Sequence, residues 1–465
     1  MKVAVVGGGG FRTPLVWAAL AGVSNGSFVE EISLQDPNEL RLTRIAGVIE
    51  GLRRERGGGP AVRISKNLAE VIEGAGAVLC AIRVGGLEAR VVDETVPLAE
   101  GVLGQETIGP GGICMALRTL PAMREIATVV SDRAPSAWLL NFTNPAGLIT
   151  EALRNEMGDR VVGICDSPAG LCARVASALG KQSEDLSFDY AGINHLGWLL
   201  TVRKGSHDLL PGLLDDPSLG GLEEGRLFGK ESLRRLGMLP NEYLLYYEAP
   251  DAIIDAFRRV GATRAQILLA QQDRFYSAGD EKPHEVLESW RKARDARHGT
   301  YMAEAWIAAG RKPTKPASCD EEAHPPTLSS AGQEDRDLRD AGYATIAARV
   351  LRALSTNTGE ILALDVANNG RLPFLDDDAV VEVPCEVTSS GPKSQAVGTL
   401  PPAQAELVAR VKEVERTTIR ASLEGSRSVA AQAFAMHPLV PSHEAGERIL
   451  AGYLAALPEL ARHLV

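Results

Sequence analysis

The sequence predicts an α/β protein: a parallel sheet interleaved with helices over residues 1–168, then an α+β region over 169–465. Three observations lead there. Short apolar or β-branched runs alternate with helical stretches of roughly 10–20 residues, the pattern of βαβ units. Those runs stop at glycine or polar residues, which is where open α/β sheets place their ligands. From about residue 170 the alternation gives way to an antiparallel pair and long helical patterns.

The first strand is KVAVV (2–6), and it ends in four glycines, Gly7 to Gly10. After FRTP, the stretch LVWAALAG is helical, and EEISLQDPN supplies a second strand ending at Asp36. A strand, a glycine-rich turn and a helix let the backbone approach a pyrophosphate at the helix N-terminus. An acid at the end of the second strand accepts hydrogen bonds from an adenosine ribose and repels a 2′-phosphate. The N-terminal part therefore reads as a Rossmann-type domain for NAD, and the whole chain has the layout of lactate and malate dehydrogenases. Candidate cofactor contacts are Gly7, Gly9, Gly10, Phe11, Arg12, Asp36 and Arg83.

Further strands are AGAVLCAIR (75–83), SAWLLNFTNP (136–145) and RVVGICDSP (160–168). Polar residues cluster at their ends: Arg83, Asn141, Asn144 and Cys165, with Glu106 in GQET. Asn141 and Asn144 suit Asx turns as well as ligand binding. Arg83 lies in an apolar surround, where a guanidinium needs a partner.

Beyond residue 168, AGLCARVASALG is a helix and LSFDYAGINHLGWLLTVRKG an antiparallel pair. Residues 241–290 are mostly helical by pattern. The Pro- and charge-rich 310–336 has no apolar period and reads as a surface insertion. A helix (AGYATIAARVLRALST), a β-rich stretch (GEILALDVANNGRLPFLDDDAVVEVPCEV) and C-terminal helices complete the chain.

At 465 residues the chain exceeds one ordinary core. With 45% hydrophobic and 23% charged residues it is globular. The net charge of −11 gives no footprint for nucleic acid, so an anionic substrate would need a local arginine cluster. Met1 leads directly into a strand without a signal-peptide pattern, and no apolar run reaches the ~18 residues that span a bilayer. Six cysteines (80, 114, 165, 172, 319, 385) are scattered without a disulfide framework. The expectation is a cytoplasmic protein with neither membrane nor nucleic-acid partners.

Cys165 and His195 each sit in a short Gly-bounded segment, GICDSP and GINHLGW. Taken singly they suit a small buried hydrophobe and a core histidine. Together at the ligand edge of a sheet, a thiolate and an imidazole suit Mn, Fe, Co, Ni or Zn. Two protein ligands would leave positions for substrate oxygens or water. NEYLLYY offers Tyr243, Tyr246 and Tyr247; on a helix, 243 and 247 share a face. Arg258, Arg259 and Arg264 suit an anionic group or a solvated helix face.

Taken together, VAVVGGGGFRTP, IRVGGLEAR, GVLGQETIGPGG, ALRTLPAM, LLNFTNPAGLITEAL, GICDSP, YAGINHLGW, NEYLLYY, NNG and VPCEV resemble glycoside hydrolase family four. That family consists of NAD- and metal-dependent glycosidases, outside the two-carboxylate scheme of glycoside hydrolysis. The resemblance implies that NAD takes a hydride from sugar C3, which acidifies the C2 proton. A divalent metal, manganese, held by Cys165 and His195 would chelate O2 and O3 and stabilise the enolate. Tyr243 aligns with the base at C2, the aglycone leaves C1, water adds, and the hydride returns. A phenol of pKa ~10 needs a nearby cation to act near neutrality.

The same matching places Asn144 on sugar hydroxyls, Arg83 near the substrate and Arg264 on a 6-phosphate. CDSP is nearer to the CDMP of 6-phospho-α-glucosidases than to the CNVP of the β enzymes, and Asp166 would then be the acid on the leaving oxygen. GGLEAR, GVLGQETIGPGG and NEYLLYY look more like the β branch. The implied activity is a 6-phospho-β-glucosidase acting on a phosphorylated disaccharide or glucoside, as a homodimer or homotetramer; the α anomer is the alternative. From the residues alone, an NAD-dependent hydroxy-acid dehydrogenase shares the layout but needs no metal, and a catalytically silent nucleotide-binding protein needs no Cys, His and Tyr set.

Overall fold

The computed structural model describes residues 1–23, 28–277, 282–310 and 342–465. Its strands are β1 (Lys2–Val6), β2 (Glu31–Gln35), β3 (Ala61–Ser65), β4 (Ala77–Cys80), β5 (Trp138–Asn141), β6 (Val161–Gly163), β7 (Ser187–Ile193), β8 (Leu196–Lys204), β9 (His207–Asp208), β10 (Leu239–Pro240), β11 (Glu360–Ala367), β12 (Val380–Thr388) and β13 (Gly391–Ser394). Among the described residues all thirteen form one sheet, in the order β10-β8-β7-β12-β11-β6-β5-β4-β1-β2-β3, with β13 on β12 and β9 on β8.

The half from β3 to β6 is parallel. Its order reverses between β1 and β4, the place where open sheets leave a ligand crevice. β1 is buried on both faces, as a strand covered by helices on both sides must be, and so reads as a continuous apolar run. β3 is largely exposed and carries Arg63, so its apolar pattern is weak and the sequence reading passed over it.

The sheet does not stop where the parallel order does. β11 pairs antiparallel with β6, Asp365 opposite Gly163, and β12 pairs with β7, Glu382 opposite Gly192. One buried cluster joins Val3, Trp17 and Leu34 to Trp290, Ile346 and Val383. The change expected at residue 168 is thus a change of strand direction inside one sheet and one core. The insertion expected over 310–336 lies, from residue 311 on, outside the described residues. No helix among the described residues is long and apolar enough to cross a membrane.

Two helices, Arg264–Tyr276 and Pro283–His298, lie over the glycine turn. Trp290 is fully buried, its indole N–H donates to the Phe11 carbonyl at 2.9 Å, and its ring lies 6.0 Å from that of Phe11. Phe275 meets Phe11 edge-on at 5.6 Å. The Tyr276 hydroxyl donates to the Gly9 carbonyl at 2.8 Å.

A Trp290→Ala substitution should cost about 3–5 kcal/mol through the cavity it leaves. Trp290→Phe, which keeps most of the ring and loses one hydrogen bond, should cost about 1 kcal/mol. Urea unfolding followed by circular dichroism checks both; equal midpoints for the two variants would contradict this packing.

Candidate active site at the carboxyl edge of the sheet

The glycine turn is built to let something approach. Gly7 has φ +86°, and a Cβ there would lie 2.5 Å from the Ala81 carbonyl oxygen. Gly9 donates its N–H to Asp36 Oδ2 at 3.1 Å, and Asn38 N–H donates to Oδ1 at 2.9 Å. A carboxylate has about four acceptor sites, so Asp36 keeps capacity for a ribose. Beside it, the Arg41 guanidinium lies 4.1 Å over the Tyr276 ring. Phe11 turns its side chain into the core, so only its backbone faces the turn.

Cys165 follows β6, and burial, with Glu382 second, pushes its thiol well above the ordinary range. His195 sits in the two-residue turn between β7 and β8 at φ +63°. A residue with a Cβ pays of order 1–3 kcal/mol for that conformation, and such positions cluster at functional sites. The imidazole is 2% exposed, yet neither ring nitrogen has a hydrogen-bond partner. Burial lowers its pKa to about 4, which keeps the ring neutral, the form that binds a metal. A buried nitrogen without a partner is costly, and a metal is a partner for it. Among the described residues no group of three or more His, Cys, Asp or Glu is arranged to hold a metal. The candidate donors are Cys165 and His195, a thiol and an imidazole that suit a cation taking its remaining ligands from substrate or water.

A row of residues across four strands sets this pair. Gly163, Asp365, Glu382 and Gly192 lie opposite one another on β6, β11, β12 and β7. A Cβ on Gly163 would meet Asp365 at 2.7 Å. Asp365 is fully buried with no hydrogen bond to either oxygen, and burial raises its pKa to about 7. Glu382 accepts from the Tyr190 hydroxyl at 3.1 Å and Asn194 Nδ2 at 3.4 Å, and burial followed by Asp365 pushes it well up. Asn194 in turn accepts from Ala146 N–H at 3.2 Å. The histidine turn is thereby tied to β12 and to the helix Ala146–Met157. Neither acid was singled out in the sequence; an acid inside an apolar run, as in LALDVAN and AVVEVP, was the available signal.

Tyr243 lies on the imidazole, ring centroids 3.8 Å apart and planes 4° from parallel. Asn241 caps its turn, accepting from Tyr243 N–H at 3.0 Å. The sequence reading put Tyr243 and Tyr247 on one face; the structure separates them. Glu242–Leu244 is a 3₁₀ turn leading into Leu245–Glu248, and three residues per turn align i with i+3. Tyr246 is accordingly the ring neighbour of Tyr243, at 5.9 Å, while Tyr247 stacks toward His437. Burial raises the Tyr243 phenol above its ordinary value.

Asp166 pairs with Arg12 at 3.5 Å and lies against Gly342, where a side chain would collide with it. Arg12 also covers the Tyr343 ring at 4.6 Å. Asn141 is structural: its oxygen accepts from Thr143 N–H at 2.9 Å and its amide donates to Ala146 O at 3.2 Å. Asn144, before the cis peptide to Pro145, makes no side-chain hydrogen bond among the described residues.

Arginines gather beside these groups. Glu106 bridges Arg83 at 2.7 Å and Arg90 at 2.9 Å. Glu94 bonds Arg90 and accepts from Ala265 N–H at 2.7 Å, fixing the start of the helix Arg264–Tyr276. Arg264, expected on a phosphate, spends its guanidinium on the carbonyls of Thr300 (2.7 Å) and Arg297 (3.0 Å) and on the Thr300 hydroxyl. One of those carbonyls belongs to Arg297, which was not among the sequence candidates. Burial, then Arg12, Arg264 and Arg90, lower the Arg297 pKa to about 9, the signature of cations short of an anion. Arg258 pairs with Asp255 at 3.1 Å on the surface, away from this cluster.

Residues 2–181 match the family model for family 4 glycosyl hydrolases, and 190–440 match that of the family 4 C-terminal domain. A probable 6-phospho-beta-glucosidase of Bacillus subtilis is 30% identical over 98% of this chain and 96% of its own. A maltose-6′-phosphate glucosidase of the same organism is also 30% identical, over 97% and 94%. The 6-phospho-beta glucosidase of Thermotoga maritima, solved with manganese, NAD⁺ and glucose-6-phosphate, superposes with TM-score 0.77 at 27% identity over 99% of both chains. For the fold alone, malate dehydrogenase of Plasmodium falciparum reaches TM-score 0.50 at 11% identity, covering 91% of this chain and 99% of its own.

Arg264→Lys removes a planar fork that a point charge cannot replace. Amide hydrogen exchange over residues 297–302 should then rise by about tenfold, the factor for roughly 1.4 kcal/mol of lost hydrogen bonding. Unchanged exchange there would return Arg264 to the role of a free anion contact.

Proposed function

The chain belongs to glycosyl hydrolase family 4, and on that premise we propose that it hydrolyses 6-phosphorylated glucosides, β-linked ones first, with NAD and a divalent metal, manganese, as resident cofactors. The observation that carries this reading is the buried His195 imidazole, without a hydrogen-bond partner and stacked on Tyr243 at the strand-end edge that holds Cys165. When bound, NAD supplies a hydride acceptor for sugar C3 and the metal a Lewis acid for the neighbouring oxygens.

This chain's own residues do the rest. The glycine turn and Asp36 hold the dinucleotide, with Arg12 and Arg83 at its substrate end. Cys165 and His195 are the metal donors. Tyr243 takes the proton from C2; stacking on the imidazole fixes where its oxygen lies. Asn144 is free to bond sugar hydroxyls. Arg297, held by Arg264 and flanked by Arg12 and Arg90, receives the phosphate. Asp166 stands at the leaving oxygen, and its presence keeps the α anomer as the second reading. The hydroxy-acid dehydrogenase alternative shares the fold but not the family. We place the reaction in the cytoplasm, in keeping with the free cysteines Cys80, Cys114, Cys165, Cys172 and Cys385, and in a homodimer or homotetramer.

Nitrophenyl α- and β-glucoside 6-phosphates, assayed with NAD, Mn²⁺ and a thiol reductant, test the reading. The β substrate should turn over faster, and removal of either NAD or metal should abolish hydrolysis. The unphosphorylated glucoside should lose on the order of 10²-fold in kcat/KM, as expected for hydrogen bonds to a charged group. Hydrolysis that survives chelation and NAD removal would sink the mechanism. Asp166→Asn should slow alkyl glucosides far more than nitrophenyl ones, since a good leaving group needs little acid assistance; a general acid contributes about 10²–10⁴-fold. Equal losses for both would remove Asp166 from that role.

A further inference from the structure

Arg41 stands beside the glycine turn, in the first turn of the helix Glu39–Arg56, where its backbone N–H donates to the Asn38 side chain at 3.1 Å. The cation at the end of the neighbouring strand, Lys66, is spent on Glu39 at 2.8 Å. Arg41 is not spent in this way: among the described residues it pairs with no carboxylate, and its guanidinium lies 4.1 Å over the Tyr276 ring. Attraction to a ring is electrostatic and leaves most of the five guanidinium donors for another partner. The ring beneath it is fixed, its hydroxyl donating to the Gly9 carbonyl at 2.8 Å and its edge meeting Phe275 at 4.9 Å.

Arg41 and Asp36 lie against the same residue. A Cβ on Gly9 would be 2.8 Å from Asp36 Oδ2 and 3.1 Å from Arg41 Cβ. The acid is held by the N–H groups of Gly9 and Asn38, so it keeps its place without the arginine. A carboxylate suited to a ribose 2′-hydroxyl therefore has an unspent planar fork of donors beside it, and such a fork matches a phosphate. We propose that Arg41 is a specificity-determining residue for the dinucleotide: Asp36 excludes the 2′-phosphate of NADP, and Arg41, laid on Tyr276, receives that phosphate once the charge at position 36 is removed. The inference rests on the reading of the glycine turn as the dinucleotide site.

Calorimetric titration of the full chain, freed of bound dinucleotide, with NAD and with NADP tests it. Wild type should prefer NAD. Asp36→Ser, whose hydroxyl keeps an acceptor for Asn38 N–H, should reverse that preference. Adding Arg41→Ala to Asp36→Ser should weaken NADP relative to NAD by about 30-fold, the factor for one hydrogen bond to a charged group. The ratio of the two dissociation constants is read within each protein, so a smaller folded fraction cancels. Asp36→Asn removes the same charge, keeps the Asn38 contact and answers the same question if the serine variant does not fold. A ratio unchanged by Arg41→Ala overturns the role of Arg41, and a continued preference for NAD in both Asp36 variants overturns the exclusion by charge. Failure of wild type to bind NAD at all overturns the dinucleotide reading itself.

Discussion

The constraint on which the site depends is the insertion of β11 and β12 between β6 and β7. It converts a parallel sheet into a mixed one and places Asp365 and Glu382 between two glycines, Gly163 and Gly192. Two acids side by side in a buried row cannot both be charged cheaply, and each is pushed toward its protonated form. The glycines at the ends of the row lie two residues before Cys165 and three before His195. The relative placement of Cys165 and His195 is thus set by backbone pairing across four strands rather than by the two side chains themselves. Asn194, bonded to Glu382 and to Ala146, then holds the turn in which His195 adopts its left-handed conformation.

A second layer of helices joins the two ends of the site. The helix Arg264–Tyr276 begins at the residue that holds the carbonyls of Arg297 and Thr300 and ends at the hydroxyl on Gly9. The helix Pro283–His298 carries Trp290, bonded to Phe11, and Arg297 two turns later. The first runs from the arginine cluster to the glycine turn, and the second makes its contact with Phe11 at mid-helix and reaches the arginine cluster at its carboxyl end. The glycine turn and the arginine cluster thus share one mechanical support.

Local features were legible in the sequence and long-range ones were not. The glycine run after KVAVV, with Asp36 at the end of the next strand, is decided within a few residues, and its structure follows. Cys165 and His195 were visible as residues, and their surroundings argued for metal. What sets their relative position comes from β11 and β12, far along the chain, which the sequence marked as β-rich without a place in the sheet. Tyr243 and Tyr247 were put on one face because a regular helix was assumed; the 3₁₀ turn capped by Asn241 sets a different spacing. Arg264 and Arg297 look alike in sequence. Only the carbonyls of Arg297, near the end of the next helix, and of Thr300, just past it, show that the Arg264 guanidinium is spent on the fold.

The central claim is that Cys165 and His195 are the two protein donors of one metal ion. Crystals grown with NAD, glucose 6-phosphate and Mn²⁺, with diffraction collected at the manganese absorption edge, test it directly. The expected result is one anomalous peak bonded to Cys165 Sγ and to a ring nitrogen of His195, with its remaining ligands drawn from sugar oxygens or water. Manganese seated elsewhere, with Cys165 and His195 free of metal while both other ligands are bound, would contradict it.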